Sequence, residues 1–214
     1  AYVVAQVRPL TRRERWIAPA VFWTAVAAGV LLKGPVIVLV VGLSIATLSW
    51  REGSMRWLTH LRPMVGLLWC SALVLPWLLA INEQSGAAFV REFAQDFVPG
   101  FVRGLKSHAA PPGYFVLVFW LTFWPGSTFV GLAIPAVVRD RRVPGTGFLL
   151  AWTVPTWIVC ELLVNKLPQY VLPLYPAIAI LVAQAVTTRE LSRRPWLMRG
   201  TIWGVLVPLV VGTL

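Results

Sequence analysis

The sequence predicts an all-α polytopic membrane protein, and three observations predict it. Of its 214 residues 58% are hydrophobic and only 13% charged, for a mean hydropathy of +0.74. The apolar residues come in long blocks, and blocks of about 18 or more read as membrane-spanning helices. The basic residues fall between the blocks: fourteen of the nineteen Lys and Arg lie in four short clusters, around 8–15, 51–62, 139–142 and 189–199. Those clusters also hold four of the eight acids, for a net +10, which leaves +1 for all other turns. Lys/Arg excess marks cytoplasmic loops. The formal charge of +11 is therefore topology, and a basic face for anionic lipid, rather than a nucleic-acid surface.

Between successive basic clusters the chain must cross the membrane twice. Residues 16–32 lead out and 36–50 return; 63–81 lead out and 112–138 return; 145–163 lead out and 171–186 return. About six complete spans thus form three hairpins whose tips point away from the cytoplasm. Trp16, Trp50, Trp57, Trp196 and Trp203 lie near the basic side, as an aromatic belt requires. The span over 112–138 would be about 40 Å long at 1.5 Å per residue, against a hydrocarbon core of about 30 Å. It contains Trp124-Pro125-Gly126-Ser127, so a kink is expected there, or part of the helix stands above the membrane. Partial helices are expected at both ends. Residues 1–7 read as the last turns of an earlier helix, and 200–214 offer only fifteen residues of an apolar run. The whole of 1–214 reads as one transmembrane domain, an internal piece of a larger protein whose N-terminal catalytic loop region and C-terminal part are expected elsewhere.

The three outer tips carry the polar residues. The first is Leu31-Leu32-Lys33-Gly34-Pro35, where Gly and Pro make the reversal. Lys33 is either a snorkelling turn lysine or a cation held at the outer surface. The second tip, 82–110, repeats Phe89, Phe93, Phe97, Phe101 and Leu105 every four residues. That spacing suggests an amphipathic helix in the interface or a lid over the bundle. It ends in Lys106-Ser107-His108 and then Pro111-Pro112-Gly113-Tyr114. A lone histidine is more often structural than a ligand, and one imidazole falls short of the three or four ligands that zinc takes. The third tip is Lys166-Leu167-Pro168-Gln169-Tyr170, running on through Leu172-Pro173-Leu174-Tyr175-Pro176, with Glu161 a turn before it. Ionisable groups at membrane depth are costly and tend to mark function, although a lysine at a helix end can also snorkel to the headgroups. Cys70 and Cys160 lie inside spans as small apolar residues.

Lys33-Gly34-Pro35, His108 with Pro111-Pro112-Gly113-Tyr114, and Lys166-Leu167-Pro168-Gln169-Tyr170 occur in that order, one on each outer tip. In this the chain resembles the ArnT-like glycosyltransferases of families 39 and 83. These are membrane enzymes of the GT-C fold, related to the dolichyl-phosphate-mannose–protein mannosyltransferases. The resemblance implies a bacterial inner-membrane enzyme with a periplasmic active face. It would move a sugar from a polyprenyl-phosphate donor to an acceptor glycolipid such as lipid A, or to a protein. A departing lipid phosphate needs fixed positive charge, and Lys33, Lys106 and Lys166 are the cations available at the outer tips. The resemblance further implies that Tyr170 contacts the carrier phosphate and that His108 ligates a divalent metal such as zinc. The acidic residues that activate the acceptor are expected on an outer loop upstream, so the catalytic base is not assigned to Glu83, Glu92, Asp96 or Glu161. Two departures stand out. Gln169 occupies a position that is often His in bacterial relatives, and the arginine that follows the histidine in ArnT has no counterpart. The alternative reading is a transporter or lipid flippase. It would place ionisable groups near the bilayer midplane and often shows inverted repeats, whereas these spans are almost free of charge.

Overall fold

The computed structural model describes residues 2–3, 11–34, 36–85, 110–163 and 166–212, with backbone only at 33 and 207–212. Among the described residues every regular element is helical. The chain divides into two compact units, Ala1–Arg103 and Gly104–Leu214.

The first unit holds α1 (Glu14–Lys33), α2 (Val36–Glu52), a 3₁₀ segment (Arg56–Leu61) and α3 (Pro63–Ser85). A reciprocal pair starts α1. The Glu14 carboxylate accepts from the Thr11 N–H at 2.9 Å, and Thr11 Oγ1 accepts from the Glu14 N–H at 3.3 Å, the logic of a capping box. The helix stops at Gly34, whose φ of 66° is cheap only for glycine and lets its N–H reach the Val30 carbonyl. α1 packs along α3 through a close approach at Gly66, where a Cβ would fall 1.8 Å from the Trp23 indole. That indole in turn donates to the Leu61 carbonyl at 2.8 Å. Near the basic end the Arg62 guanidinium lies 3.4 Å over the Trp16 ring, a cation–π contact at an interfacial tryptophan.

The second unit holds α4 (Tyr114–Thr122), α5 (Gly126–Arg139), α6 (Pro144–Leu162), two single 3₁₀ turns (Pro168–Tyr170 and Leu172–Leu174), α7 (Tyr175–Thr187) and α8 (Pro195–Gly212). α5 packs against both α7 and α8, and α7 also packs on α6. Small residues set the closest approaches, with Ala133, Ala136 and Ala185 forming one buried cluster, as expected where helices meet without a hydrophobic drive between them.

Among the described residues four segments are long and apolar enough to cross a membrane: Glu14–Leu32, Pro63–Ser85, Pro144–Leu162 and Pro168–Thr187. α4 and α5 make a fifth only if taken as one span, because they are bent by 114°. The expected kink at Trp124-Pro125 is therefore a full break. Pro125 has no N–H to continue the ladder, and two buried hydroxyls bond carbonyls at the corner. Ser127 donates to Trp120 O at 3.0 Å and Thr128 to Pro125 O at 2.7 Å. The expected return span over 36–50 exists as α2, but its 17 residues reach only about 25 Å, short of the roughly 30 Å core.

Candidate functional site

The third tip is built by proline. Pro168 opens the first 3₁₀ turn, while Pro173 and Pro176 take second positions in the second turn and in α7. These are places where a missing N–H costs nothing and φ is already set. Tyr170 N–H closes the first turn on Leu167 O at 3.0 Å, and Leu174 N–H closes the second on Val171 O at 3.0 Å. From Leu167 on, the chain therefore enters α7 along a fixed path.

Its lysine faces inward. The Lys166 side chain is 2% exposed, and its ammonium donates to the carbonyls of Glu161 and of Leu163, the latter at 2.9 Å. These lie at the C-terminus of α6, where carbonyls lack helical partners and a cation is favoured. The same Nζ stands 3.6 Å from Glu161 Oε2 and 5.9 Å from the centre of the Phe115 ring. Of the two readings open for Lys166, the snorkelling one does not describe this conformation: the charge is buried and paired.

Glu161 is the hub. Its Oε2 accepts from the Gly113 N–H at 3.0 Å and its Oε1 from the Phe115 N–H at 3.1 Å. The carboxylate thus caps the N-terminus of α4, where negative charge complements the helix dipole. Gly113, the last residue of the Pro-Pro-Gly stretch, has φ 90° and so needs glycine. The end of the second tip and the start of the third are held on one carboxylate.

Around this hub lies an apolar cluster of Phe115, Cys160, Val171 and Leu174, all buried, with Tyr170, Tyr175 and Trp157 packed against it. Tyr170 is half-buried. Phe119 meets Trp157 and Tyr175 edge-on at 5.4 and 5.5 Å between ring centres, and Tyr175 shares a hydrogen bond with the Thr122 hydroxyl. Alongside runs an apolar groove of about 480 Å³ between α4, α5, α6 and α7, lined by residues including Trp120, Ile134, Val154 and Leu181.

The other expected site residues fall elsewhere. Lys33 is the last residue of α1, at the end away from the basic cluster of Arg12, Arg13 and Arg15. Lys106, His108 and the expected amphipathic helix over 89–105 lie outside the described residues. Among the described residues no group of three His, Cys, Asp or Glu side chains could hold a metal ion. Both cysteines are free thiols. The role of Glu161 was not legible from its spacing; only its opposite charge, five residues before Lys166, pointed to it.

No family model and no solved structure matches the chain. Curated relatives do. It is 26% identical over 200 residues to the undecaprenyl phosphate-alpha-4-amino-4-deoxy-L-arabinose arabinosyl transferase of Enterobacter sp. (strain 638), covering 87% of this chain and 34% of that one. With the transferase of the same name from Edwardsiella ictaluri it shares 30% over 148 residues, 65% of this chain and 26% of the relative. With that from Yersinia pestis (strain Pestoides F) it shares 25% over 206 residues, 91% and 36%. The chain spans about a third of the length of the curated relatives it matches. Over most of its own length this all-α membrane chain is thus similar to proteins named undecaprenyl phosphate-alpha-4-amino-4-deoxy-L-arabinose arabinosyl transferase, at 25–30% identity.

Proposed function

We propose that the chain is part of a membrane glycosyltransferase of the bacterial inner membrane. It moves a sugar from a polyprenyl-phosphate donor to an acceptor on the periplasmic side, lipid A or another glycolipid or a protein. The observation that carries this is the alignment of nearly the whole chain with transferases of one name, together with a K-L-P-Q-Y turn at the junction of two membrane helices. The kinship favours transfer over the transporter reading. The apolar groove beside the turn suits a lipid-borne substrate, since lipid sites are lined mainly by apolar side chains.

The chemistry asks for fixed positive charge. Attack of an acceptor hydroxyl on the anomeric carbon, its proton passing to a base, breaks the bond to the phosphate oxygen, and the carrier leaves as a lipid monophosphate bearing the bonding pair. Donors preorganised where that charge develops stabilise the transition state. Lys33 and Lys106 are the proposed direct cations. Lys166, whose hydrogens face Glu161 and two carbonyls, holds the turn from behind, and Tyr170 contributes its hydroxyl. His108 is proposed as one ligand of a divalent ion such as zinc, which would polarise oxygen when bound.

The test is transfer by the native protein in membranes from undecaprenyl-phosphate-linked aminoarabinose. Lys33→Ala, His108→Ala and Tyr170→Phe are each expected to abolish product while the protein still accumulates in the membrane. Normal product from all three would refute the site.

A further inference from the structure

We propose that Glu161 is a positioning residue of this site, locking the Lys166–Tyr170 turn to the entry of α4; the role in transfer rests on the transferase reading above. Its carboxylate joins three partners from two remote stretches. The N–H groups of Gly113 and Phe115 lie 48 and 46 residues away in sequence, and the Lys166 ammonium lies five residues on. A serine or asparagine could cap α4; only a carboxylate also balances an ammonium that is 2% exposed. Both carboxylate oxygens face the protein's own donors, so Glu161 is not placed to take a proton from an acceptor.

The contacts close a loop through the site. Phe115 gives its N–H to Glu161, offers its ring toward Lys166, and belongs to the buried cluster on which Tyr170 packs. From Lys166 the chain enters the 3₁₀ turn that ends at Tyr170. Release of the carboxylate would free the start of that turn and the first turn of α4 together, and with them the wall that holds the tyrosine ring. Misplacement of a group that acts on developing charge lowers turnover more than ground-state binding.

The experiment is Glu161→Gln in the native membrane protein. Hydrogen exchange is read over 111–117 and 166–174, and transfer is measured from undecaprenyl-phosphate-linked aminoarabinose. Faster exchange is expected in both segments, with kcat per folded molecule down about tenfold or more and donor KM changed less than about threefold. Exchange that rises only in 111–117 would overturn the tie, and kcat per folded molecule within about twofold of wild type would overturn the positioning role. If the Gln variant does not fold, Glu161→Asp, shorter by one methylene, is read the same way, with a loss of about threefold or more expected and a smaller one counting against the proposal. A wild type that transfers nothing would sink the transferase reading, and the exchange result would still decide the tie.

Discussion

Replacing Lys166 with Met tests whether the buried pair organises the outer end of the second unit. The substitution keeps the volume and removes the charge. It leaves the Glu161 carboxylate, 17% exposed, without a counter-charge and strips the donors from the carbonyls of Glu161 and Leu163. Breaking a buried ion pair from one side costs about 3–5 kcal/mol. Glu161 keeps the Gly113 and Phe115 N–H groups and a little water, so the low end, about 3 kcal/mol, is expected. Removing both charges in Lys166→Met with Glu161→Gln leaves only unpaired neutral groups, and the loss should shrink to about 1–2 kcal/mol. The assay is unfolding of the purified protein in mixed micelles against SDS fraction, followed by tryptophan fluorescence, since Trp152 and Trp157 border the cluster. A single variant within about 0.5 kcal/mol of wild type, or a double variant no more stable than the single, would refute the reasoning.

Two further expectations concern the first unit. Gly66→Ala should destabilise by about 2–3 kcal/mol, because a Cβ 1.8 Å from the Trp23 indole overpacks α1 against α3 and displaces the indole from Leu61 O. Gly42→Ala, with nothing within 4 Å in mid-helix, should be neutral or stabilising by up to about 1 kcal/mol; micelle unfolding of both checks the contrast. Burial first, then the hydrogen bond to Glu52, pushes the Tyr2 phenol up to about 12. A raised pKa favours the neutral phenol in the folded protein, so this stability is complete below the ordinary value near 10 and is lost as pH rises through about 12. The tyrosinate absorbance difference between wild type and Tyr2→Phe should therefore titrate late, and a midpoint near 10 would contradict the contact.

Much of the fold was legible because bilayer physics writes itself in blocks. Long apolar runs bounded by arginine clusters located α1, α3, α6 and the segment that ends in α7. Gly34 ended its helix where a glycine beside a proline said it should, and the three spaced prolines of the third tip each fell where a new turn begins. A kink at Pro125 was expected, but a bend of 114° was not, because a proline in an apolar run does not say how far the two halves swing apart. The family resemblance read from three short tip motifs agrees with the relatives found by comparison. The direction of Lys166 was out of reach. Its four methylenes allow it to snorkel or to fold back, and the choice is made by a carboxylate whose other partners lie more than forty residues away. Composition carries no record of such a three-body contact.

The central claim is that an acceptor takes a sugar while a lipid monophosphate departs on stabilising positive charge. It is tested most directly with a donor carrying ¹⁸O in the bridge between sugar and phosphate, incubated with the native protein in membranes and followed by mass spectrometry. The account predicts polyprenyl monophosphate and glycosylated acceptor in equal amounts, with all of the label on the phosphate. Label in the glycosidic bond, or acceptor modified without release of the lipid phosphate, would contradict it.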